Sequence, residues 1–383
     1  MEELFTINFT FLSPSSVWDY LIIAYLVAFV TQLFIYIFFF SRVAFYKNNT
    51  TNIQQNKPVS VIVCAKNERE NLLQFLPLIL NQHYNTFEVI VVNDASVDDT
   101  PDVLKAFSLQ HKNLKIVNVP DSDRFYENKK FALTLGIKAA QYPLVLLTDA
   151  DCKPASTNWI AKMSSYAENK KIILGVGNYE KKPGLLNKLI RFETLYTAMH
   201  YLSFSLANIP YMGVGRNLAY HSGLFFKNKG FSSHLHVLSG DDDLFINEVA
   251  TKTNTQICID EDAHTISVPK STFKKWMRQK RRHFLSGNYY KLKHKLLLGA
   301  IQVSQALFIV LFISLLFNSS TIFLVLTVFL IRLILQFIIF SNAAKKIGGM
   351  DIIKFLPFFE LFFMLFNPFL VISTFLTKKI KWN

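Results

Sequence analysis

Asp149 and Asp151 stand one residue apart, directly after the aliphatic run at 144–147. Alternate residues of a β-strand share a face, so this spacing predicts two carboxylates projecting together from a strand end. Anions that close repel each other unless a cation lies between them, which poses the question of which cation. More acids follow: Glu68, Asp94 and Asp98 each come shortly after an apolar run, and Asp241, Asp242 and Asp243 form an uninterrupted acidic triplet. Each has a plain structural reading. Asp98, and the 149/151 pair taken alone, suit turns or helix N-caps, and the triplet suits an acidic helix start. His234 and His236 read as ordinary loop histidines.

The elements that must position these acids are legible as periodicity. β-branched runs at 59–63, 87–92, 114–119 and 143–148 alternate with helical patterns, the first through Leu72, Leu73, Leu76 and Leu80. Continuous apolar strands separated by helices predict a parallel sheet covered on both faces, with ligands outside the carboxyl ends of the strands. Lys66, Asn67 and Glu68 then follow the first strand, Asn93, Asp94, Ser96 and Asp98 the second, and Asp149 and Asp151 the fourth. No Walker loop, GxGxxG fingerprint or GxSxG elbow occurs, and the GVG triplets at 175–177 and 213–215 are too short to carry meaning alone.

Of the 383 residues 51% are hydrophobic, and the excess is concentrated in runs at 20–40, 296–317, 322–340 and 355–377. Each reaches the roughly 20 apolar residues that span a bilayer. The first lacks a small-residue cleavage site and reads as a retained anchor. Glu2, Glu3 and Asp19 precede it and Arg42, Lys47 and Lys57 follow, while Lys291, Lys293 and Lys295 precede the second run, so the region between faces the cytoplasm. Four crossings would place Lys378, Lys379 and Lys381 outside, against that rule. Pro357 and Pro368 predict instead that the fourth run re-enters or lies at the interface. Arg332 and Glu360, about 12 Å and 7 Å from the cytoplasmic ends of their runs, are expected to pair. The formal net charge of +14 has no zinc finger, RNP-like strand or recognition helix beside it, so anionic headgroups, not nucleic acid, are the expected partner. The cysteines, Cys64, Cys152 and Cys258, lack CxxC spacing and read as reduced thiols.

In their order and spacing, "VSVIVCAKNERENL", "VIVVNDASVDDT", "NKKFALTLGI", "LLTDADC", "GVGRNLAY", "SGDDDLF" and "QKRRHF" resemble the inverting, membrane-bound glycosyltransferases of family 2 over residues 57–290. The flanking runs are similar to those of polysaccharide synthases and ceramide glucosyltransferases. The resemblance implies a GT-A fold, a Rossmann-like mixed α/β sheet with flanking helices. It divides the chain into a membrane anchor (1–45), a cytoplasmic catalytic domain (46–290) and a membrane region with two or three spans (291–383), in the inner membrane of a bacterium. It implies a nucleotide-diphosphate sugar donor, a UDP-sugar in the first instance, and a lipid or glycan acceptor. Glu68 and Asp94 would contact the nucleoside, Asp149 and Asp151 would hold Mg2+ or Mn2+ on the diphosphate, and Lys130 would be a second cation near the phosphates. Asp242 aligns with the family's general base, with Asp241 and Asp243 as neighbouring alternatives. The family's QxxRW motif appears as QxxRH: Gln279 and Arg282 are retained for the diphosphate, while His283 replaces the aromatic platform for the acceptor. A stripe of Leu185, Leu189, Phe192, Tyr196, Met199 and Leu202, opposite Lys188, Arg191, Glu193 and His200, predicts a helix over 185–206 that either lies among headgroups or packs in the core. The rival readings are a metal-dependent hydrolase of nucleotide sugars and a non-catalytic nucleotide-sugar-binding subunit of a synthase.

Overall fold

The computed structural model describes residues 16–47, 57–120, 129–167 and 170–376. The expectations that rest on Glu2, Glu3, Lys378, Lys379 and Lys381 lie outside the described residues. The chain enters through α1 (Val17–Phe34), which passes through a π-helical segment, Ile35–Phe40, into the short α2 (Ser41–Ala44). Asp19 closes a capping box with Ser16 at the start of α1, which satisfies two otherwise orphaned backbone donors.

The β-branched runs then build the expected strands. β1 (Val59–Ala65), β2 (Phe87–Asn93), β3 (Leu114–Asn118) and β4 (Leu144–Asp149) pair in parallel in the order β3-β2-β1-β4. Period-two alternation sorts their side chains into two cores. Val61, Val63, Val89, Val91 and Leu146 share one core with Leu72 and Leu76 of α3 (Arg69–Leu80) and Leu104 of α4 (Thr100–Gln110). Ile62, Ile90, Val92, Val145 and Leu147 share the other with Leu133 and Ile137 of α5 (Lys129–Ala139).

The remaining domain completes a mixed sheet. β5 (Cys152–Pro154), α6 (Trp159–Ser165), β6 (Ile172–Leu174) and β7 (Gly177–Tyr179) precede the long α7 (Leu185–Leu206). β8 (Leu218–His221) follows and inserts antiparallel between β4 and β6, and β6 pairs in parallel with β9 (Thr255–Ile257), so the seven-stranded order is β3-β2-β1-β4-β8-β6-β9. A three-stranded sheet, β5-β10-β7 with β10 (Thr265–Ser267), lies beside the end of β4. Helices α8 (Ser222–Lys227), α9 (Asp243–Val249) and α10 (Phe273–Gly287) lead to α11 (Leu292–Leu315), α12 (Ile322–Ile347) and α13 (Leu356–Leu376).

Among the described residues four helical stretches are long and apolar enough to cross a membrane: Val17–Ala44, Leu292–Leu315, Ile322–Ile347 and Met350–Thr374. Tyr25, Phe308, Leu315 and Val325 pack α1, α11 and α12 together. The anticipated pair forms: Arg332 Nη1 donates to Glu360 Oε2 at 2.7 Å, and Nη2 binds the other carboxylate oxygen. Gln336, Gln32 and Tyr36 accept further bonds from the two Nη groups, Nε stays buried without a hydrogen-bond partner among the described residues, and Gln305 donates to Glu360.

Helix α7 is buried along most of its length, with only its first turn open to solvent. Its stripe therefore packs in the core instead of lying free among headgroups. Phe192 meets Phe359 and Phe363 of α13, Tyr196 meets Phe340 of α12, and Phe204 meets Phe39. One helix thus joins the sheet domain to α13, to α12 and to the helical segment that follows α1.

Candidate active site

The parallel strands end in a common row: β1 register places Ala65 beside Asn93, and Cys64 beside Asp149. The two loops that follow β1 and β2 lock each other. Ser96 Oγ accepts from the backbone N–H of Asn67, whose own side chain accepts from Val97 N–H; Thr100 Oγ1 accepts from Glu68 N–H. Asp98 accepts from the backbone N–H groups of Thr100 and Arg69, tying the starts of α3 and α4 together, as its cap-like reading anticipates. Asn67 and Ala95 adopt left-handed φ values of 55° and 49°. For an alanine this conformation costs about 1–2 kcal/mol, an expense borne where the loops turn beside the carboxylates.

β4 ends at Asp149, and Asp151 lies in the turn before β5, so the pair is gathered by a turn and not by strand alternation alone. One ligand atom from each of Asp149, Asp151 and Cys152 falls within 4.8 Å of the others. Burial and the nearby Asp149 raise the pKa of Asp151, while Lys270, 3.9 Å away, opposes the rise. Burial drives the Cys152 thiol far up, and its sulfur lies 2.9 Å from Ser267 Oγ. The thiol therefore stays protonated, and the donors that fit a hard divalent ion are the two carboxylates. Glu68 is also pushed up, mainly by burial, with Asp151 adding to the shift and the Asn71 amide opposing it.

Lys129 joins this corner to the acidic triplet. Its Nζ lies 2.6 Å from Asp149 Oδ1 and 3.1 Å from Asp241 Oδ2. The three consecutive acids thereby separate into three environments. Burial pushes Asp241 up, but the charge and hydrogen bond of Lys129, a backbone hydrogen bond and Lys130 together hold it below the usual carboxylate range. Asp242 caps α9 by accepting from Asp243 N–H and also accepts from Gly215 N–H at 2.6 Å. Burial, Asp241 and Asp243 push it up to about 8. Asp243 turns into the core, where Ser286 and Tyr290 donate to it at 2.5 and 2.7 Å. The acidic helix start and the candidate base are the same residues.

Lys130, expected near the phosphates, points elsewhere: its buried Nζ donates to the carbonyls of His234 and Val237. His234 is itself buried, with its ring bonded to Glu248 and the Gly240 carbonyl. Asp94 sits 4.0 Å from Lys66. On α10, Gln279 donates to Tyr179 OH at 3.2 Å. Burial lowers the Arg282 pKa while Asp241 and Asp149 oppose this, so the guanidinium is within electrostatic reach of both acids. His283 is exposed on the same helix.

Sequence reasoning passed over Lys129, Arg216 and Lys270. The Arg216 guanidinium stacks 4.4 Å over the Tyr179 ring. It also gives the two GVG triplets a role: a Cβ on Gly177 would lie 2.5 Å from Arg216 Nε, and one on Gly215 3.3 Å from Asp242. The triplets face each other across the site, a relation that spacing along the chain does not reveal.

The mixed α/β sheet, with acids gathered at its strand ends around a bridging lysine, is of the GT-A type. Residues 60–226 match the family model described as glycosyl transferase family 2. It is 32% identical over 133 residues to an uncharacterized glycosyltransferase of Haemophilus influenzae, covering 33% of this chain and 40% of the relative. It is 27% identical over 262 residues to the probable glycosyltransferase YdaM of Bacillus subtilis, covering 63% and 58%. A poly-β-1,6-N-acetyl-D-glucosamine synthase of Staphylococcus epidermidis is 28% identical over 142 residues, covering 37% and 33%. The chain thus spans about a third to three-fifths of these curated relatives. The structure of the mannosyltransferase PcManGT from Pyrobaculum calidifontis, in complex with GDP-Man and Mn2+, superposes with a TM-score of 0.57 at 17% identity, covering 92% of this chain and 99% of that one. That likeness establishes the fold.

Proposed function

We propose that the protein transfers a sugar from a nucleotide-diphosphate donor to a hydroxyl of a lipid or glycan acceptor, with inversion, from the cytoplasmic face of a bacterial inner membrane. The observation that carries this reading is the Lys129 bridge, which brings the metal-type acids of β4 and the acidic triplet into one site. Glu68 and Asp94, at the ends of β1 and β2, are assigned to the nucleoside. Asp149 and Asp151 are assigned to Mg2+ or Mn2+, an assignment in keeping with the Mn2+ in the complex of the mannosyltransferase. A divalent ion held there neutralises charge that develops on the departing diphosphate.

The rest follows from this chain's own groups. Lys129, not Lys130, supplies the ammonium beside the donor, and Arg282 offers a bidentate fork to the diphosphate, with Gln279 anchored to Tyr179 beneath it. Asp242 takes the proton from the acceptor hydroxyl. Its fixed carboxylate, held by Gly215 N–H, and its pKa of about 8 suit a base working near neutrality. The hydroxyl oxygen then bonds to the anomeric carbon on the face opposite the breaking bond to the diphosphate. His283, exposed at the end of this row, is assigned to the acceptor side.

The test is to incubate membranes containing the protein with radiolabelled nucleotide sugars, UDP-sugars first, with and without acceptor extract. Label entering a lipid or glycan fraction only with the divalent ion and acceptor supports the reading. Acceptor-independent release of free sugar overturns it in favour of a hydrolase, and binding without turnover in favour of a non-catalytic subunit.

A further inference from the structure

Helix α13 has the length of a membrane span, yet its contacts run sideways along the catalytic domain. Just before its start, Asp351 accepts from both Nη atoms of Arg191 on α7, at 2.8 and 2.6 Å. One turn in, Phe359 packs 4.8 Å from Phe192. Further along, the helix leaves α7 and meets α10: Phe366 stacks on Trp276 at 5.0 Å, and Arg281 Nε donates to Ser373 Oγ at 3.2 Å. A crossing helix would rise about 33 Å between residues 351 and 373, the thickness of the hydrocarbon. The domain instead accompanies it over that whole length. Helix α10, which carries Lys274, Lys275, Arg278, Lys280, Arg281 and Arg282, is far too charged to sit in hydrocarbon.

Helix α11 provides an independent depth marker. Gln305 donates to Glu360 at 2.8 Å, whereas Asn367, further along α13, donates to Gln302 at 3.2 Å. Progress along α13 therefore leads about one turn back toward the start of α11, the end joined to the catalytic domain. A small cavity between these helices, lined by Gln302, Gln305, Gln336, Glu360 and Asn367 together with four aromatic rings and Met364, has room for about one water.

We propose that α13 lies in the plane of the leaflet on the catalytic-domain side, and that α1, α11 and α12 alone cross the bilayer. The surface so formed is a docking face for phospholipid. Phe358, Leu361, Leu365, Phe369, Ile372 and Leu376 make an exposed stripe at helical spacing, which beds among acyl chains. The opposite stripe, Phe359, Phe363, Phe366 and Leu370, is buried against the protein. Exposed Lys274, Lys275 and Arg278 of α10 meet headgroup phosphates. The expectation that Pro357 and Pro368 mark an interfacial helix is thereby taken up through contacts; α13 itself continues unbroken through Pro368.

Spin labels on Phe358→Cys, Leu365→Cys and Ile372→Cys, each in the full chain in phospholipid nanodiscs, test this by depth. The substituted positions are exposed, and the depths are expected to agree within about one helical turn, 5 Å. Labels on Phe323→Cys and Ile338→Cys of α12 are the control and are expected to differ by about 22 Å in a crossing helix. A progressive change of about 20 Å along α13 overturns the proposal. A reporter fused after residue 383, read against one in the exposed loop at Lys229, needs no substitution in α13. Reporters on the same side agree with the proposal, and reporters on opposite sides overturn it. Both readouts are independent of what the enzyme transfers.

Discussion

Two places in the molecule bury charge, and they do so in opposite ways. Around Arg332 charge is matched one to one: one guanidinium meets one carboxylate in a bidentate contact, and Gln32, Tyr36, Gln305 and Gln336 bond to the pair, leaving only the guanidinium Nε–H without a hydrogen bond among the described residues. Around Lys129 it is unmatched: Asp149, Asp151, Asp241 and Asp242 converge on few cations, and burial together with their mutual repulsion pushes Asp151 and Asp242 upward. A matched cluster holds helices together, whereas an unmatched one retains electrostatic strain for a ligand to relieve. The same residue types thus carry architecture in one place and chemistry in the other.

Breaking each cluster should separate these roles. Asp242→Asn is expected to lower transfer by about 10²–10⁴-fold while donor binding, measured by titration, stays close to wild type. Equal loss of both would remove Asp242 from the base role. Because its pKa is raised on folding, ionising Asp242 weakens the fold as pH rises toward and through 8, so the Asn variant should unfold no earlier than wild type at pH 8.5. Glu360→Leu should leave transfer chemistry intact and cost about 3–5 kcal/mol of stability, because it strands a buried guanidinium. Adding Arg332→Met should recover much of the loss in a thermal melt, and a double variant worse than Glu360→Leu would contradict a matched pair. Lys130→Met should cost about 1–3 kcal/mol by leaving two carbonyls unpaired, with the donor KM unchanged. The smallest effect sharpens the contrast. kcat/KM should rise with pH to a plateau as Asp242 ionises, with an inflection about pH 8. Lys129→Gln should move that inflection upward, since Lys129 opposes the rise in the Asp242 pKa.

Local periodicity made β1 to β4 and α3 to α5 legible, because continuous burial on both sheet faces writes itself into the sequence as apolar runs. It placed Asp149, Asp151, Glu68 and Asp94 at strand ends, which is where they stand. It failed where adjacency along the chain and adjacency in space part company. Lys129 and Lys130 are neighbours on one helix, about 100° apart in direction, and only the surroundings decide which meets the acids. The triplet is alike in sequence but is sorted by Lys129, Gly215 and the Ser286–Tyr290 pair, all distant along the chain. Strand β8 was missed because its four residues give too little pattern to show that they pair antiparallel between β4 and β6. The stripe on α7 was read correctly as apolar, but its polar neighbours do not mark a solvent face. Arg191 and His200 are engaged by Asp351 and by the Tyr196 carbonyl.

That helix has a mechanical consequence. Because α7 touches α13, α12 and the end of α1 in succession, it acts as a gauge block between bilayer and enzyme. The sheet domain is seated on the apolar helices through packed side chains and not through a loop alone, so in the proposed setting the height of Asp242 above the headgroups would follow from the length of α7 and what it packs against.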